Sequence, residues 1–241
     1  MTEAAGSPEP GPSAPPTSWR PAVVREVHHP SPRAVSVRLD LPGRRPHRPG
    51  QHYVLRLTAP DGYRAQRSYS VASAPDDELL ELYVERLPDG EVSGFLAEEL
   101  AVGDELEVRG PVGEWFAWDG RPALAVGGGS GVVPLVAMLR HAAALGRPDA
   151  LRLAVAARTR EDLPYADELE AAGALVALSR EPAGRRPAGR LRSSELERLV
   201  EPGRTAFVCG SAAFAEASSR QLVALGVLAS DVRVERFGAS G

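Results

Sequence analysis

The sequence predicts two folded parts, a six-stranded antiparallel barrel followed by a parallel-sheet α/β domain. Three observations carry this prediction. Between residues 19 and 119, short apolar or alternating runs are separated by turn pairs such as Asp61-Gly62 and Asp89-Gly90, which is typical of antiparallel strands. After Trp118, apolar runs alternate with helical stretches, which is typical of a parallel sheet with helices on both faces. With 241 residues, of which 43% are hydrophobic, the chain can bury a sizeable core.

The first part is expected to begin at Trp19. Residues 1–18, mostly Ala, Pro, Gly and Ser, are predicted to be a disordered tail. One helix, Gly94–Leu100, interrupts the barrel, and Ser93 is its expected N-cap. The antiparallel strands are predicted at Ala22–Val27, Val35–Leu41, His52–Thr58, Ser68–Val71, Leu79–Val84 and Glu105–Val108.

The second part is expected to span residues 120–241. An uncharged stretch inside it, Pro122–Leu139, is as long as a membrane span, but its glycines and prolines disfavour a lone helix in lipid. The chain does not start with a basic, then apolar leader, so we expect a cytoplasmic protein without a membrane partner. Its strands are predicted at Ala123–Val126, Leu151–Ala157, Leu175–Leu178, Thr205–Val208 and Val232–Val234, and its helices at Pro134–Leu145, Tyr165–Ala172, Ser193–Val200 and Ala212–Leu225.

The composition excludes several kinds of chemistry. The formal net charge of −4 argues against a nucleic-acid partner held by bulk charge. The chain has no lysine, which excludes Schiff-base catalysis, pyridoxal phosphate attachment and a P-loop. Its one cysteine, Cys209, cannot by itself hold an iron–sulfur cluster or a four-cysteine zinc site. The five histidines lack ligand spacing and are interpreted as surface residues, so no metal site is predicted.

A glycine-rich turn, Gly127–Pro134, links the first parallel strand to a helix. Glycines at such a turn let a phosphate approach the backbone, and the helix start supplies N–H donors. The spacing does not fit G-x-G-x-x-G, so the dinucleotide fingerprint itself is missing. A tight turn without a ligand is the alternative interpretation. The candidate phosphate-binding residues are Gly128, Gly129, Ser130 and Gly131.

Basic and hydroxyl side chains follow the next two parallel strands. The second strand ends at Arg158, where an NAD site usually has an acid for the ribose 2′-hydroxyl. Ser179 and Arg180 follow the third strand, and Arg190 lies further along. Arginine and a hydroxyl suit a 2′-phosphate, so the sequence favours NADP(H) over NAD(H). The alternative is that these arginines form an ordinary solvated face.

The run Arg67-Ser68-Tyr69-Ser70 lies on a predicted barrel strand and, together with the glycine turn, resembles the ferredoxin–NADP(+) reductase superfamily. The resemblance covers about residues 19–238 and is closest to reductase components of bacterial oxygenase and ferredoxin systems without their iron–sulfur domain. It implies that the barrel binds FAD and that the second, Rossmann-like domain binds NADPH. Further motifs in matching order are Pro49-Gly50-Gln51, Gly90-Glu91-Val92-Ser93, Gly110-Pro111-Val112-Gly113, Arg158-Thr159, Ser179-Arg180-Glu181, Cys209-Gly210 and Val234-Glu235-Arg236-Phe237.

The resemblance also implies roles on the flavin side. Arg67 would pair with the FAD pyrophosphate, for which a guanidinium fork is well suited, and Ser68 belongs to the same run. Tyr69 would stack on the isoalloxazine ring, and a core tyrosine is the alternative. The helix start that carries Gly90, Val92 and Ser93 would hold the second side of the pyrophosphate.

Three residues are the catalytic candidates by resemblance. Ser70 would hydrogen-bond near flavin N5, where hydride arrives, and Glu235 would lie near Ser70 and orient the nicotinamide. Cys209, followed by Gly210, would lie beside the nicotinamide, although a buried core residue is the commoner place for a lone cysteine. Phe237 would cover the flavin face, with four more residues after it.

The function implied by the resemblance is a flavoprotein reductase, an enzyme that transfers hydride from NADPH to FAD and passes electrons to a separate acceptor. An acidic ferredoxin, a flavodoxin or an oxygenase component would be the partner. The basic loop formed by Arg44, Arg45, His47 and Arg48 is a candidate steering surface for it, with a solvated loop as the alternative. Three other functions stay open: a reductase that releases free reduced flavin, a non-catalytic flavin-binding electron-transfer subunit, and a Rossmann-like binding module without a catalytic role.

Overall fold

The computed structural model describes residues 18–237, which form two sheets. In the first sheet every hydrogen-bonded pair is antiparallel, in the order β4-β3-β6-β1-β2-β5. A bridge between Val71 and Leu82 brings the two edges together, so the sheet curls into the predicted barrel. Its elements are β1 (Arg20–Ser31), β2 (Ala34–Asp40), β3 (His52–Thr58), β4 (Arg64–Ser70), β5 (Leu80–Glu85), α1 (Glu91–Glu98) and β6 (Glu105–Val112). The predicted disordered tail lies outside the described residues, apart from Ser18.

Period-two alternation builds the barrel core. In β5 the residues Leu80, Leu82 and Val84 are buried while their neighbours are not, because successive side chains on a strand point to opposite faces. Helix α1 closes one end of the barrel by burying Val92 and Leu96 in the same cluster.

The second sheet is wholly parallel, in the order β11-β10-β7-β8-β9. Its chain order reverses between β7 and β10, which is where ligands bind in open parallel sheets. Separate apolar clusters cover its two faces, with α2 and α3 in one and α4 and α5 in the other, as predicted. Its elements are β7 (Ala123–Gly128), α2 (Val133–Ala144), β8 (Leu151–Ala157), α3 (Ala166–Ala171), β9 (Leu175–Leu178), α4 (Ser193–Leu196), β10 (Thr205–Ser211), α5 (Ala212–Ala224) and β11 (Val232–Phe237). No helix among residues 18–237 is long and apolar enough to cross a membrane.

Two local expectations are wrong. Helix α1 begins at Glu91 with Gly90 as its N-cap, so Ser93 lies inside the first turn rather than at the cap. The Ser93 hydroxyl there accepts the Leu87 N–H at 3.2 Å and donates to the Gly90 carbonyl at 3.3 Å, which ties the preceding turn to the helix. His47 is buried, not on the surface, and its Nε2 lies 3.0 Å from the Ser73 carbonyl oxygen. Burial lowers the pKa of His47 to about 4, so the imidazole is neutral at pH 7.

The buried hydroxyl of Tyr53 yields a stability prediction. Its ring packs against Gly110, where an added Cβ would fall 2.6 Å from the ring, and its hydroxyl has no hydrogen-bond partner among the described residues. An unpartnered buried hydroxyl costs about 1–3 kcal/mol, so we expect Tyr53→Phe to leave the melting temperature unchanged or raise it. Thermal unfolding followed by circular dichroism measures this. Leu55→Ala, at a fully buried site on the same strand, should cost about 2–5 kcal/mol and shows that the assay responds. A clear loss of stability in Tyr53→Phe would contradict the prediction.

Candidate functional site

A cleft of about 1320 Å³ lies between the two sheets, with side chains from both in its walls. Most residues singled out from the sequence line it, although they come from distant parts of the chain. The barrel contributes Arg67, Ser68, Tyr69, Ser70, Gly90, Val92 and Ser93, and the parallel-sheet part contributes Gly128, Gly129, Ser130, Arg158, Ser179, Arg190, Glu235 and Phe237.

Strand β4 carries the barrel side of the cleft. It stands at the end of the strand order, and its residues Arg67, Ser68, Tyr69 and Ser70 line the cleft. Arg67 is exposed, and within the described chain no carboxylate pairs with its guanidinium. Tyr69 is half-buried, and burial raises its pKa to about 12, so the phenol stays neutral. An unpaired guanidinium and a partly covered ring two residues apart on one strand face fit a phosphate and a flat ligand ring.

Two buried polar atoms in the cleft walls lack partners. Neither the Ser70 hydroxyl, at the end of β4, nor Oε2 of Glu235, on β11, has a hydrogen-bond partner in the described part of the chain. Burial also raises the pKa of Glu235 to about 7. Because unpartnered buried polar atoms cost about 1–3 kcal/mol each, they are characteristic of a site completed by a ligand. These residues therefore fit a bound cofactor that presents polar atoms between the two sheets.

The glycine turn divides into lining and packing residues. Gly128, Gly129 and Ser130 line the cleft, and Gly129 adopts φ +58°, a left-handed conformation that favours glycine. Gly131 does not line it, contrary to expectation. A Cβ on Gly131 would fall 2.6 Å from the Cα of Gly210 and against the Cys209 carbonyl. Its role is therefore close packing of the turn on the end of β10.

Cys209, Gly210 and Arg180 also lie outside the lining, contrary to expectation. Cys209 has no exposed surface and belongs to the core cluster beneath α2, opposite Glu235 in the strand register. Burial raises the pKa of its thiol well above the usual value, so the thiol is neutral. Gly210 packs against the ring of Phe214, and Arg180 is exposed at the end of β9.

Two arginines make one end of the cleft basic. Arg158 and Arg190 line it next to Ser179, and neither guanidinium pairs with a carboxylate in the described residues. Arg186, by contrast, is held inside its own domain by Glu195 at 2.8 and 3.0 Å. Two unpaired guanidinium groups and a hydroxyl fit an extra phosphate at this end.

The cleft includes residues that the sequence reasoning missed. Ser211 and Phe214, at the start of α5, line the wall beside the glycine turn, and Gly128 leaves room for the Phe214 ring. The sequence does contain a signal for them: directly after Cys209-Gly210, a serine suited to cap a helix (Ser211) is followed three residues later by the apolar Phe214. Arg33 and Asp162 form an ion pair at the rim that links the two parts of the chain. No local motif indicates a pair 129 positions apart.

Three side chains of the basic loop contact other parts of the barrel. Arg44 donates to the carbonyl oxygens of Pro75, at 3.3 Å, and Asp77. His47 is buried, and Arg48 pairs with Glu114 at 2.8 Å. Arg44 and His47 thus anchor the segment after β4, and Arg48 contacts the turn after β6.

Comparisons with known proteins agree with this geometry. The family model described as "Oxidoreductase FAD-binding domain" matches residues 21–117, and "Oxidoreductase NAD-binding domain" matches residues 125–220. The glycine betaine monooxygenase reductase subunit of Chromohalobacter salexigens is 35% identical over 212 residues, 80% of this chain and 56% of that protein. Methane monooxygenase component C of Methylosinus trichosporium is 38% identical over 124 residues, 51% of this chain and 36% of that protein. The chain thus spans only about a third to just over half of these curated relatives.

A solved structure extends the similarity over the whole fold. The flavohem-like FAD/NAD binding domain of nitric oxide dioxygenase from Vibrio cholerae superposes with a TM-score of 0.80 at 26% identity. The match covers 91% of this chain and 98% of that one, so the two sheets of this chain have the same arrangement as that domain.

The raised pKa of Glu235 predicts a pH-dependent contribution to stability. The folded protein holds a proton that the unfolded chain has lost, so the stabilisation is full below pH 4.5 and disappears as the pH rises through about 7. We expect Glu235→Gln to raise the melting temperature by several degrees at pH 8 and to change it little at pH 5.

Thermal unfolding at both pH values measures this difference. Glu216→Gln is the matched control, because Glu216 is an exposed helix residue in an i,i+4 ion pair with Arg220. Its effect should be small at both pH values. A Glu235→Gln effect of equal size at pH 5 and pH 8 would show that the carboxyl titrates normally.

Proposed function

This chain belongs to the ferredoxin–NADP(+) reductase superfamily, and we propose that it oxidises NADPH with a bound FAD and delivers the electrons to a separate protein. The observation that carries the proposal is the single cleft whose walls combine the Arg67–Ser70 run, the glycine turn and Glu235. A cleft shared by an FAD-binding and an NAD-binding part would bring the two cofactors close to each other, as hydride transfer needs. We assign residues 19–119 to FAD and residues 120–241 to NADPH.

On the barrel side, Arg67 and Ser68 would hold the FAD pyrophosphate, and Tyr69 would support the flavin ring. The first turn of α1, with Gly90, Val92 and Ser93, would supply N–H donors to the same pyrophosphate. When bound, FAD supplies a ring that accepts hydride and releases electrons singly or in pairs. The chain itself would position the bound cofactors and exclude water from them.

Between the two cofactors, Ser70 and Glu235 would complete the hydrogen bonds that their buried oxygens lack. A carboxyl with a pKa of about 7 carries a proton part of the time at neutral pH, so Glu235 can either donate or accept a hydrogen bond there. Phe237 would cover the reacting rings from water. Cys209 and Gly210 would shape this wall from beneath through their packing on Gly131.

On the other side, Gly128, Gly129 and Ser130 would receive the NADPH pyrophosphate at the start of α2. Arg158, Ser179 and Arg190 would receive the 2′-phosphate. Arg180, exposed beside Ser179, would add long-range attraction only.

The electron acceptor is proposed to be a ferredoxin or an oxygenase component, in line with relatives named as a monooxygenase reductase subunit and a monooxygenase component. One cysteine cannot ligate an iron–sulfur cluster, so a one-electron centre of that kind must lie outside residues 1–241.

The proposal is tested by an anaerobic visible spectrum of the purified protein, titrated with NADPH and separately with NADH. Flavin bands that bleach with one equivalent of NADPH, and poorly with NADH, are the expected result. A yellow protein that neither nucleotide bleaches would instead be an electron-transfer subunit. A colourless protein that turns over added free flavin would be a flavin-releasing reductase.

The basic end of the cleft predicts the choice of nucleotide. We expect Arg190→Ala to raise the KM for NADPH roughly ten- to a hundredfold, the loss of one charge-assisted hydrogen bond of about 1.5–3 kcal/mol. The KM for NADH should change little, because NADH lacks the 2′-phosphate. Steady-state kinetics with both nucleotides measure this. Arg185→Ala, an exposed arginine nearby that does not line the cleft, is the control. Equal losses with NADH and NADPH would refute the assignment.

A further inference from the structure

A half-buried polar cluster outside the cleft joins the barrel to the parallel-sheet part. It consists of Glu81 on β5, Arg140 on α2, and Tyr165 and Glu168 at the start of α3, and we call it the Glu81 cluster. The Tyr165 hydroxyl donates to Oε1 of Glu81 at 2.7 Å, and Nη1 of Arg140 donates to Oε2 at 2.7 Å. The same guanidinium holds Glu168 through Nε and Nη2, both at 2.9 Å.

The hydrogen bonds in the Glu81 cluster leave neither Glu81 oxygen unpaired. Oε1 also accepts the Ser36 hydroxyl at 3.1 Å from the neighbouring strand. Only 13% of the Glu81 side chain and 23% of the Arg140 side chain are exposed, so the pair is shielded from water far better than a surface ion pair. Removing Arg140 would leave the largely buried Glu81 carboxylate without its cation, which strongly favours the arrangement present.

The Glu81 cluster reaches both walls of the cleft through the backbone. Nη1 of Arg140 also donates to the carbonyl of Ala72 at 3.0 Å, two residues after Ser70. The Glu81 N–H donates to the Ser73 hydroxyl at 3.0 Å in the same segment. Helix α2, which carries Arg140, begins at Val133, two residues after Gly131, the last glycine of the glycine turn. One side chain therefore connects the end of β4 to the helix that continues from the phosphate-binding turn.

Tyr165, a member of the Glu81 cluster, has a strained backbone conformation. Its φ is +56°, a left-handed conformation that is uncommon for any residue with a bulky side chain. The ring lies 5.6 Å from that of Tyr83, which lines the cleft, and 4.9 Å from the Arg140 guanidinium carbon. Such conformations persist where the surrounding structure fixes them, and they concentrate at functional sites. Here the strained residue makes its hydrogen bond across the boundary between the two parts.

We propose that Glu81, Arg140 and Tyr165 are positioning residues that fix the distance between the Ser70 wall and the glycine turn, and so hold the two bound cofactors at reacting distance. The geometric half of this inference is that these residues fix the distance, and the catalytic half is that this distance sets the rate of hydride transfer. Only the catalytic half rests on the proposed function. The other side-chain ion pairs across the boundary among the described residues, Arg33 with Asp162 and Arg121 with its near neighbour Asp119, involve arginines that are 64% and 85% exposed. Pairs so exposed to water are weak restraints.

The geometric half is tested by measuring a distance across the boundary in the full chain reconstituted with FAD. Spin labels at Val102→Cys in the barrel and Leu228→Cys in the parallel-sheet part suit this, since both sites are about two-thirds exposed, at 65% and 66%. Cys209 is fully buried and stays unlabelled. Pulsed electron paramagnetic resonance should give a narrow distance distribution that broadens in Glu81→Gln and in Tyr165→Phe.

The catalytic half is tested by rapid-mixing kinetics on the same variants without labels. The limiting rate of flavin reduction by NADPH should fall at least fivefold, while the KM for NADPH and the FAD content stay near those of the unmodified chain. Glu107→Gln is the matched control, because Glu107 holds Arg56 at 2.8 and 2.5 Å wholly within the barrel. It should change neither the distance nor the rate.

Positioning requires the distance and the rate to change together. A change in only one of them, or in neither, would overturn the proposal. If Glu81→Gln does not fold, Tyr165→Phe decides alone, because it removes one hydroxyl and keeps the ring. If the unmodified chain is not reduced by NADPH, the proposed function fails, and the distances alone still decide the geometric claim.

Discussion

The packing of Gly131 on the end of β10 is the contact from which the rest of the site follows. With no Cβ, the glycine turn approaches the backbone of Cys209 and Gly210 closely, at the point where the order of the parallel strands reverses. This approach sets where α2 begins and thus where Arg140, two turns along it, meets the barrel. Any larger residue would displace the turn, the helix and the contact with Ala72 together.

Much of the fold could be predicted from the sequence because hydrophobic periodicity and turn pairs are local. The change from alternating runs to strand–helix units after Trp118 reflects two different ways of burying a sheet, and both sheets were confirmed. The Arg67–Ser70 run, Glu235 and Phe237 all reach one cleft. What sequence reasoning missed depends on residues that are distant in the chain. His47 is buried at a place where the Ser73 carbonyl accepts its hydrogen bond, and the Glu81 cluster joins residues more than 80 positions apart.

The absence of lysine shapes the electrostatics of this molecule. Arg140 uses three nitrogens to contact Glu81, Glu168 and the Ala72 carbonyl at once, which a point-charge ammonium could not do with the same directionality. Elsewhere a guanidinium joins neighbouring strands, as Arg56 on β3 does by binding Glu107 on β6 through two nitrogens. Arg158 and Arg190, which pair with no carboxylate among the described residues, therefore differ from the many arginines of this chain that do.

Cys209 gives the parallel sheet a built-in chemical reporter. It is the one thiol in the chain, it has no exposed surface, and burial raises its pKa. A thiol reagent can therefore modify this residue only during moments when β10 separates from α2 and its neighbours. The rate of modification reports the frequency of those openings. Disulfide-exchange labelling of the native chain would therefore measure how often the parallel-sheet part opens locally, and by how much a ligand in the cleft lowers the frequency of opening.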